Sequence, residues 1–593
     1  MSDTYRHGIY TQELDTAITP MISVASPLVA VGTAPFHLAK NPAPSNTPVL
    51  CHTLAEFVEQ FGWSEKWSQF TLCEVAYTAF QLYNTAPVIF INVLGGDTHL
   101  KGVASSVVTA AGSPYTLAIE ASTNHVWMTG GETASYTIDM STNGWAVGAP
   151  LPATFYARDA EAITLAVAGS GANQVWLSGS DYTVYFGIAA ATDAEIQAGA
   201  LDSWGDSTPQ EEGDIPATKR CWRVKLTTSG AAKMASAAEK TLKLGKATLL
   251  TAGKDYKVSH DDNGRITVTL LKTTAATPLT IWYEELSTDK VRNADVIGGY
   301  DSASGKNKGL ECIEEIYPRF GVLPGALIVP YWSQASAVSA IMKAKTENIN
   351  GCFKSIAIAD LSCYGAPKYT AVNAYKNDNN LVDGHLIVCW PRVSLGGRTY
   401  FMSTHLGALL GKVDSEHDDL PYKSPSNESL QIDSTVLHDG SEYFLGKSQA
   451  NYLNGIGVVT ALNFVGGWRA WGNRTSLYPS SGDPKDAFIP IRRMINFVGN
   501  TLVTSFWSRI DNPLNRRLVE SIMDSAQIWL NGLTARGALV GGRIQFLEDD
   551  NPLTDLEDGV IRFHVSLMPP PPAREIVFIQ ELDVTYLSNL FGE

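Results

Sequence analysis

Two stretches of this chain share one texture and the long stretch between them has another, and that break constrains the fold more than any single motif. After Pro27, Leu28-Val29-Ala30-Val31 reads as a buried strand, a Pro-rich loop occupies 41–48, and apolar residues at helical spacing mark helices over 53–61 and 71–83. A second apolar strand, 87–94, ends at Gly95-Gly96. Near Val291 the same mixture returns: a helix over 310–317, a strand over 326–330, a helix over 335–348, a strand over 355–360, a helix near 370–375 and a strand over 386–390. Strands that are apolar throughout and alternate with helices imply a mainly parallel sheet covered by helices. Residues 412–450 are polar and loop-rich. The fold class expected is therefore α/β and α+β multidomain, with a split α/β core.

Between 97 and 289 the chain changes to short Thr-, Val-, Tyr- and Trp-rich runs broken by Gly, Ser, Asn and Asp, the signature of antiparallel β structure. Because α/β texture stands on both sides, this block is inserted into the core domain. Gly179-Ser180-Asp181-Tyr182-Thr183-Val184 is echoed by Gly253-Lys254-Asp255-Tyr256-Lys257-Val258, which runs through Asp262-Asn263-Gly264 into another strand. The echo reads either as two related β modules dividing near 203–217 or as chance repetition of degenerate turn chemistry.

The C-terminal hundred residues carry the clearest periodicity. Ile491, Met494, Ile495, Val498, Leu502 and Phe506 share one helical face, and Leu518, Ile522, Ala526, Trp529 and Leu533 share another. Asp511-Asn512-Pro513 is the expected cap of the second helix, with Asn531-Gly532 close to its end. Strands are expected over 543–547 and 560–567. Four prolines at 569–572 then forbid ladder bonds and impose a stiff extended spacer. Beyond them 575–586 alternates again as a strand with no later partner. At the other end, residues 1–20 read as an extended arm. The expected division is 1–20, an arm; 21–96 with 290–485, the split core; 97–289, the insertion; 486–572, a C-terminal α+β assembly domain; and 573–593, a second arm.

Composition narrows the function. At 593 residues the chain has room for roughly four domains, and 45% apolar against 18% charged residues is a globular balance. A formal charge of −16 argues against nucleic acid as a partner. The first residues lack a signal-peptide core and no apolar run spans a bilayer, so a soluble protein made in the cytoplasm, without membrane insertion, is expected. Seven scattered cysteines, never in a Cys-x-x-Cys pair, read as reduced core thiols.

Chemical motifs fail on inspection. Gly299 to Asn307 imitates a phosphate loop but has five residues between its glycines and Asn in place of the magnesium-holding Ser/Thr, so it reads as an ordinary loop. Asp414, Glu416, His417, Asp418 and Asp419 match no zinc or calcium pattern and read as a solvated acidic loop. No catalytic, cofactor or metal residues are expected. Arg492-Arg493 and Arg516-Arg517 sit at the starts of the two C-terminal helices, where the macrodipole opposes them. They face either an acidic partner or intrachain carboxylates and solvent.

An unpaired extended segment at each end leaves backbone groups without partners. Donating both to neighbouring copies gives an open head-to-tail lattice. At this point the residues resemble a family, the tail sheath proteins of contractile-tailed bacteriophages. The resemblance rests on His7-Gly8-Ile9-Tyr10-Thr11-Gln12-Glu13, Ile18-Thr19-Pro20-Met21, Val31-Gly32-Thr33-Ala34, Pro324 to Pro330, Ile356 to Asp360, Trp471 to Thr475, Asn551 to Asp555, Gly559 to Phe563 and Pro572 to Phe578. It covers 1–100 and 290–593.

The resemblance implies a structural, non-enzymatic protein of the phage virion, assembled in the host cytoplasm as stacked hexameric rings around a tail tube. Baseplate and tail terminator proteins would be further partners. It implies strand exchange between subunits through Gly8, Ile9, Tyr10, Thr11, Glu575, Ile576, Val577, Phe578 and Ile579. It also implies an outward β insertion, and C-terminal helices near the tube, with Arg516, Arg517, Arg492 and Arg493 as candidate tube contacts. Contraction would release energy stored in a metastable extended state. Other readings are the sheath of a phage-derived bacteriocin or contractile injection system, a surface adhesin or receptor-binding β protein, and an enzyme with a site near Asp360 or Cys389.

Overall fold

The computed structural model describes residues 21–22, 25–96, 98–108 and 279–591, the strand segments within 115–250, and residues 253–260 and 265–271. The expected arm at 1–20, the 179–184 echo and 203–217 lie outside the described residues. The chain divides into two compact units, Met1–Gly95 with Val291–Glu593, and Gly96–Lys290. Among the described residues no helix is long and apolar enough to cross a membrane.

The first unit is built on a large mixed sheet. Its strands are β1 (Leu28–Gly32), β2 (Pro48–Cys51), β3 (Val88–Asn92), β4 (Ala326–Ile328), β5 (Ala357–Asp360), β6 (Leu386–Cys389), β7 (Val458–Asn463) and β8 (Trp468–Trp471). They lie in the order β2-β3-β1-β4-β5-β6-β7-β8. β3, β1, β4, β5, β6 and β7 run parallel, and the outermost pairs β2–β3 and β7–β8 are antiparallel. β1 and β3 to β6 are buried at every residue, as strands covered on both faces must be. The insertion leaves this sheet after β3 and returns before β4, so β1 joins the two halves by pairing with both.

The covering helices are α1 (Leu54–Phe61), α2 (Thr71–Tyr77), α3 (Ser336–Glu347), α4 (Val372–Asp378), α5 (Met402–Ser415) and α6 (Lys447–Gly455). Thr53 caps α1 by accepting from the Glu56 N–H at 3.2 Å, and Glu56 accepts from the His52 N–H at 2.8 Å. Phe57 then meets Phe90 of β3 at 4.7 Å between ring centres. α5 lies close against β1 and β4 because residue 407 is glycine: a Cβ there would come within 2.9 Å of Leu28 and 3.3 Å of Ile328.

Several elements differ from the sequence reading. The Pro-rich loop ends in β2, which tolerates Pro48 because it is an edge strand. The 310–317 segment is a 3₁₀ helix, Gly309–Glu315, followed by one α-turn, Ile316–Phe320. The phosphate-loop imitation is a hairpin, Gly299–Asp301 against Lys306–Lys308, with Asp301 accepting from Ala303 and Ser304 in the turn. In the second unit Thr241–Leu250 pairs with both Ser122–Asp139 and Glu161–Ala168, while Leu279–Leu286 pairs with Leu100–Val108. Strands from either side of 203–217 thus share one sheet.

The N-terminus of α5 shows how the core handles charge. Its cap residue Phe401 offers no side-chain bond. The exposed N–H groups are met instead by two carboxylates from other elements: Glu74 of α2 accepts from the Phe401 N–H at 2.7 Å and the Thr404 hydroxyl at 2.9 Å, and Asp360 of β5 accepts from the Ser403 N–H at 2.9 Å and from its hydroxyl. Both acids are buried. Burial pushes Glu74 from 4.5 up to about 8 and Asp360 from 3.8 up to about 6. A raised carboxyl pKa means that the folded subunit holds a proton the unfolded chain has released. The Glu74 contribution is therefore complete below pH 4.5 and declines as the pH rises towards 8. The melting temperature of unassembled subunits should fall over that window, and Glu74→Gln, which keeps the accepting oxygen, should flatten the fall. Identical slopes for the two proteins in thermal denaturation would exclude this assignment.

Candidate assembly interface

The C-terminal periodicity folds as two helices, α7 (Ile489–Phe506) and α8 (Arg516–Ala535). The cap of α8 is Asn515, whose side chain accepts from the Leu518 N–H at 2.9 Å, so the expected cap at 511–513 is displaced by two residues. Met494, Phe497 and Val498 of α7 pack with Leu530 and Leu533 of α8, Ala538, Leu539 and Leu420 into a local core. Against it lie Ile544, Val565 and Leu567 from β9 (Gly541–Gln545) and β10 (His564–Met568), a two-stranded antiparallel sheet. The strand expected over 560–567 begins only at His564 because Arg562 is held elsewhere. Buried Asn551 accepts from the Arg562 N–H at 2.7 Å and donates to Leu547 and Arg562 carbonyls, pinning the two ends of the connection together. That pin gives a physical reason for the Asn551 motif.

α7 also ties this region to the main sheet. Arg493 makes a bidentate pair with Asp414 at the end of α5, and both residues are buried. Asn496 donates to the Ser355 carbonyl at 3.0 Å. Ile22, just after the first arm, donates its N–H to Ser505 at 2.8 Å. Asp414 is thus not part of a solvated loop, although Glu416, Asp418 and Asp419 are exposed.

The four arginines separate. Arg492 and Arg493 are buried, paired with Asp486 and Asp414, which is the intrachain alternative. Arg516 and Arg517 are exposed; Arg516 pairs with Glu520 one turn on at 2.7 Å. Of the strand-exchange residues, Gly8, Ile9, Tyr10 and Thr11 lie outside the described residues. Glu575 to Ile579 lie within them, joined to no strand, and the expected strand over 575–586 is absent: Val584–Phe591 is a 3₁₀ helix instead. Among the described residues this segment pairs with no strand beyond the prolines. Ile576, Val577, Phe578 and Ile579 are 71, 70, 84 and 93% exposed.

Charged groups elsewhere have structural partners. Glu347, Asp383 and His385 bring three possible metal-ligand atoms within 4.8 Å of one another. Arg492 and Lys354 beside His385 already supply positive charge, and burial pushes its imidazole down to about 4. Asp360 is engaged by α5, and the Cys389 thiol is buried and pushed well up. Neither has the exposed, activated character of a reactive group.

No family model matches the chain. It is 26% identical over 379 residues to the tail sheath protein of Burkholderia phage BcepMu, an alignment covering 61% of this chain and 78% of that one. The chain is thus similar in sequence to a phage tail sheath protein. Solved sheath structures with lower identity include the helical sheath of the anti-feeding prophage in its contracted state, 12% identical, with a TM-score of 0.46 over 98% of this chain and 100% of that one. A sheath tail protein from Desulfitobacterium hafniense is 10% identical, with a TM-score of 0.42 over 91% and 93% of the two chains.

Loss of Arg493 should disturb the seating of the C-terminal helices, because it pairs with buried Asp414. Arg493→Met leaves Asp414 buried and unpaired and should cost about 3–5 kcal/mol. Adding Asp414→Leu should restore most of it. Denaturant unfolding of unassembled subunits gives both values, and equal losses for the single and double variants would refute the pair's role.

Proposed function

We propose that this protein polymerises as the sheath of a contractile phage tail. The observation that carries the reading is the C-terminal segment: four adjacent apolar residues, more than two-thirds exposed, leave a subunit whose last sheet has only two strands. Apolar exposure of that kind marks an interaction surface, and an extended segment beside an incomplete sheet suits strand addition between chains. Since every subunit would give and receive, the contact propagates into a lattice.

In this reading the subunits form stacked hexameric rings around a tail tube, bounded by baseplate and terminator proteins, and the protein resides in the virion after assembly in the host cytoplasm. The arm at 1–20, with Gly8, Ile9, Tyr10 and Thr11, is the second exchanged strand. Arg516 and Arg517, exposed at the start of α8, are the candidates for an acidic tube surface. The role is mechanical and not catalytic: subunits assemble in an extended, metastable arrangement, and a trigger at the baseplate lets them reach the lower-energy contracted one.

Deleting 575–593 should leave a folded subunit with an unchanged melting temperature that no longer forms tubules by electron microscopy. Removing the first 15 or so residues should do the same. Normal tubules from either truncation would defeat strand exchange. Arg516→Glu with Arg517→Glu should impair assembly on purified tubes while sparing polymerisation of sheath alone, and equal loss of both would indicate a folding defect.

A further inference from the structure

The connection between α7 and α8 carries an apolar surface with a basic border. Trp507, Ile510 and Leu514 are 63, 57 and 40% exposed, and Arg516 and Arg517 follow at the exposed start of α8. Asp511 and Glu520 lie in the same stretch. Among the described residues only Nε of Arg516 is engaged, by Glu520 at 2.7 Å, and its side chain remains 91% exposed. Large apolar side chains beside arginines are the composition of a contact surface.

The N-terminal arm starts beside this surface. The Ile22 N–H donates to Ser505 at 2.8 Å and the Ile22 carbonyl accepts from the Thr504 hydroxyl at 3.3 Å, which fixes the chain to the last turn of α7, just before Trp507. From there the Ala25 and Pro27 carbonyls accept from the Leu323 and Gly325 N–H groups. Residues 1–20, outside the described residues, therefore continue from this end of α7. Their sequence complements the patch: Tyr10, Leu14 and Ile18 are apolar, and Glu13 and Asp15 stand between them. Even fully extended, the chain places Ile18 within about 14 Å of its anchor at Ile22.

We infer that in the free subunit residues 10–18 cover this surface of their own chain, Ile18 and Leu14 against Trp507 and Ile510, Glu13 and Asp15 against Arg516 and Arg517, and that donation of the arm to a neighbour uncovers it, a step that rests on the sheath reading above. Anchorage at Ile22 holds the arm over the patch at an effective concentration on the order of millimolar, so even a weak contact is occupied. That weakness also lets the neighbour win, because strand addition supplies backbone hydrogen bonds that a side-chain contact lacks. A subunit outside the lattice then presents a covered tube-facing surface, and one that has donated its arm presents Arg516 and Arg517. Grip on the tube is thereby coupled to incorporation in the lattice, and single subunits are kept from coating tubes at random.

Hydroxyl-radical footprinting of free subunits, read by mass spectrometry, tests the cover, and co-sedimentation with purified tail tubes tests its consequence. An arm docked about two-thirds of the time slows oxidation of the Trp507 side chain by about threefold relative to a chain lacking residues 1–15. The protection should not vary with subunit concentration. Equal oxidation of the two chains would overturn the inference, and so would protection that grows with concentration, which would make the cover another copy's. Glu13→Lys with Asp15→Lys should expose Trp507 as the truncation does, and adding Arg516→Glu with Arg517→Glu should restore the protection; no rescue would refute the charge match that selects this occupant. The truncated chain, though unable to form tubules, should bind tubes about fivefold more tightly than full-length free subunits, and equal or weaker binding would refute the coupling. If neither chain binds tubes, the sheath reading fails, while the footprint still decides whether the arm covers Trp507.

Discussion

The buried pair between Arg493 and Asp414 is the contact on which the rest of the C-terminal architecture depends. Asp414 ends the helix that lies closest to the main sheet, and Arg493 belongs to the helix that supports the last two strands. Neither charge could be left in the interior alone, since an unpaired buried ion costs several kcal/mol. Joined in a bidentate geometry, each removes the other's penalty, and the pair defines one position of α7 against α5. A purely apolar contact would hold the helices together with less discrimination between neighbouring registers.

The same logic runs through the other buried charges and accounts for perturbed groups that imitate an active site. Glu74 and Asp360 have the raised pKa values often found in catalytic acids, and they stand at the ends of a helix and a strand, where α/β enzymes place their chemistry. Their oxygens are engaged by the first turn of α5. The positive end of that helix and its free N–H groups supply what the carboxylates need, and the carboxylates complete a helix that has no cap of its own. Lys376 follows suit: it is buried, with its ammonium donating to the Ile456 and Tyr478 carbonyls. In each case a buried polar group closes a gap between elements that come from distant parts of the chain.

That distance explains which features were legible in the sequence. Strands buried on both faces, such as Leu28–Gly32 and Leu386–Cys389, stand out because their apolar runs are uninterrupted, and α7 and α8 stand out because their stripes are regular. α5 was hidden: it is buried almost all round, contains Gly407 and Gly411 for close packing, and shows no stripe. The antiparallel edge strand β8 is short and carries little pattern. The tail at 575–579 was recognisable as an apolar segment without a partner, but its alternation implied a strand, and a strand requires a second chain. Arg492-Arg493 and Arg516-Arg517 look identical in sequence. Their different settings, one pair buried and one exposed, depend on where Asp414 and Asp486 fall in space.

An exchanged strand of this length, if 575–579 is one, would suit a reversible lattice contact. Burying four side chains such as Ile576 to Ile579 yields about 6–12 kcal/mol if each is fully covered. Ordering the backbone of some five residues costs about 5–10 kcal/mol. One arm on one neighbour is therefore close to balance, and a pair of subunits would associate weakly. In the proposed lattice each subunit would give and receive arms at once, so that later contacts would form at the high effective concentration set by earlier ones. Assembly then depends on completing a ring or meeting a template more than on any single pairing.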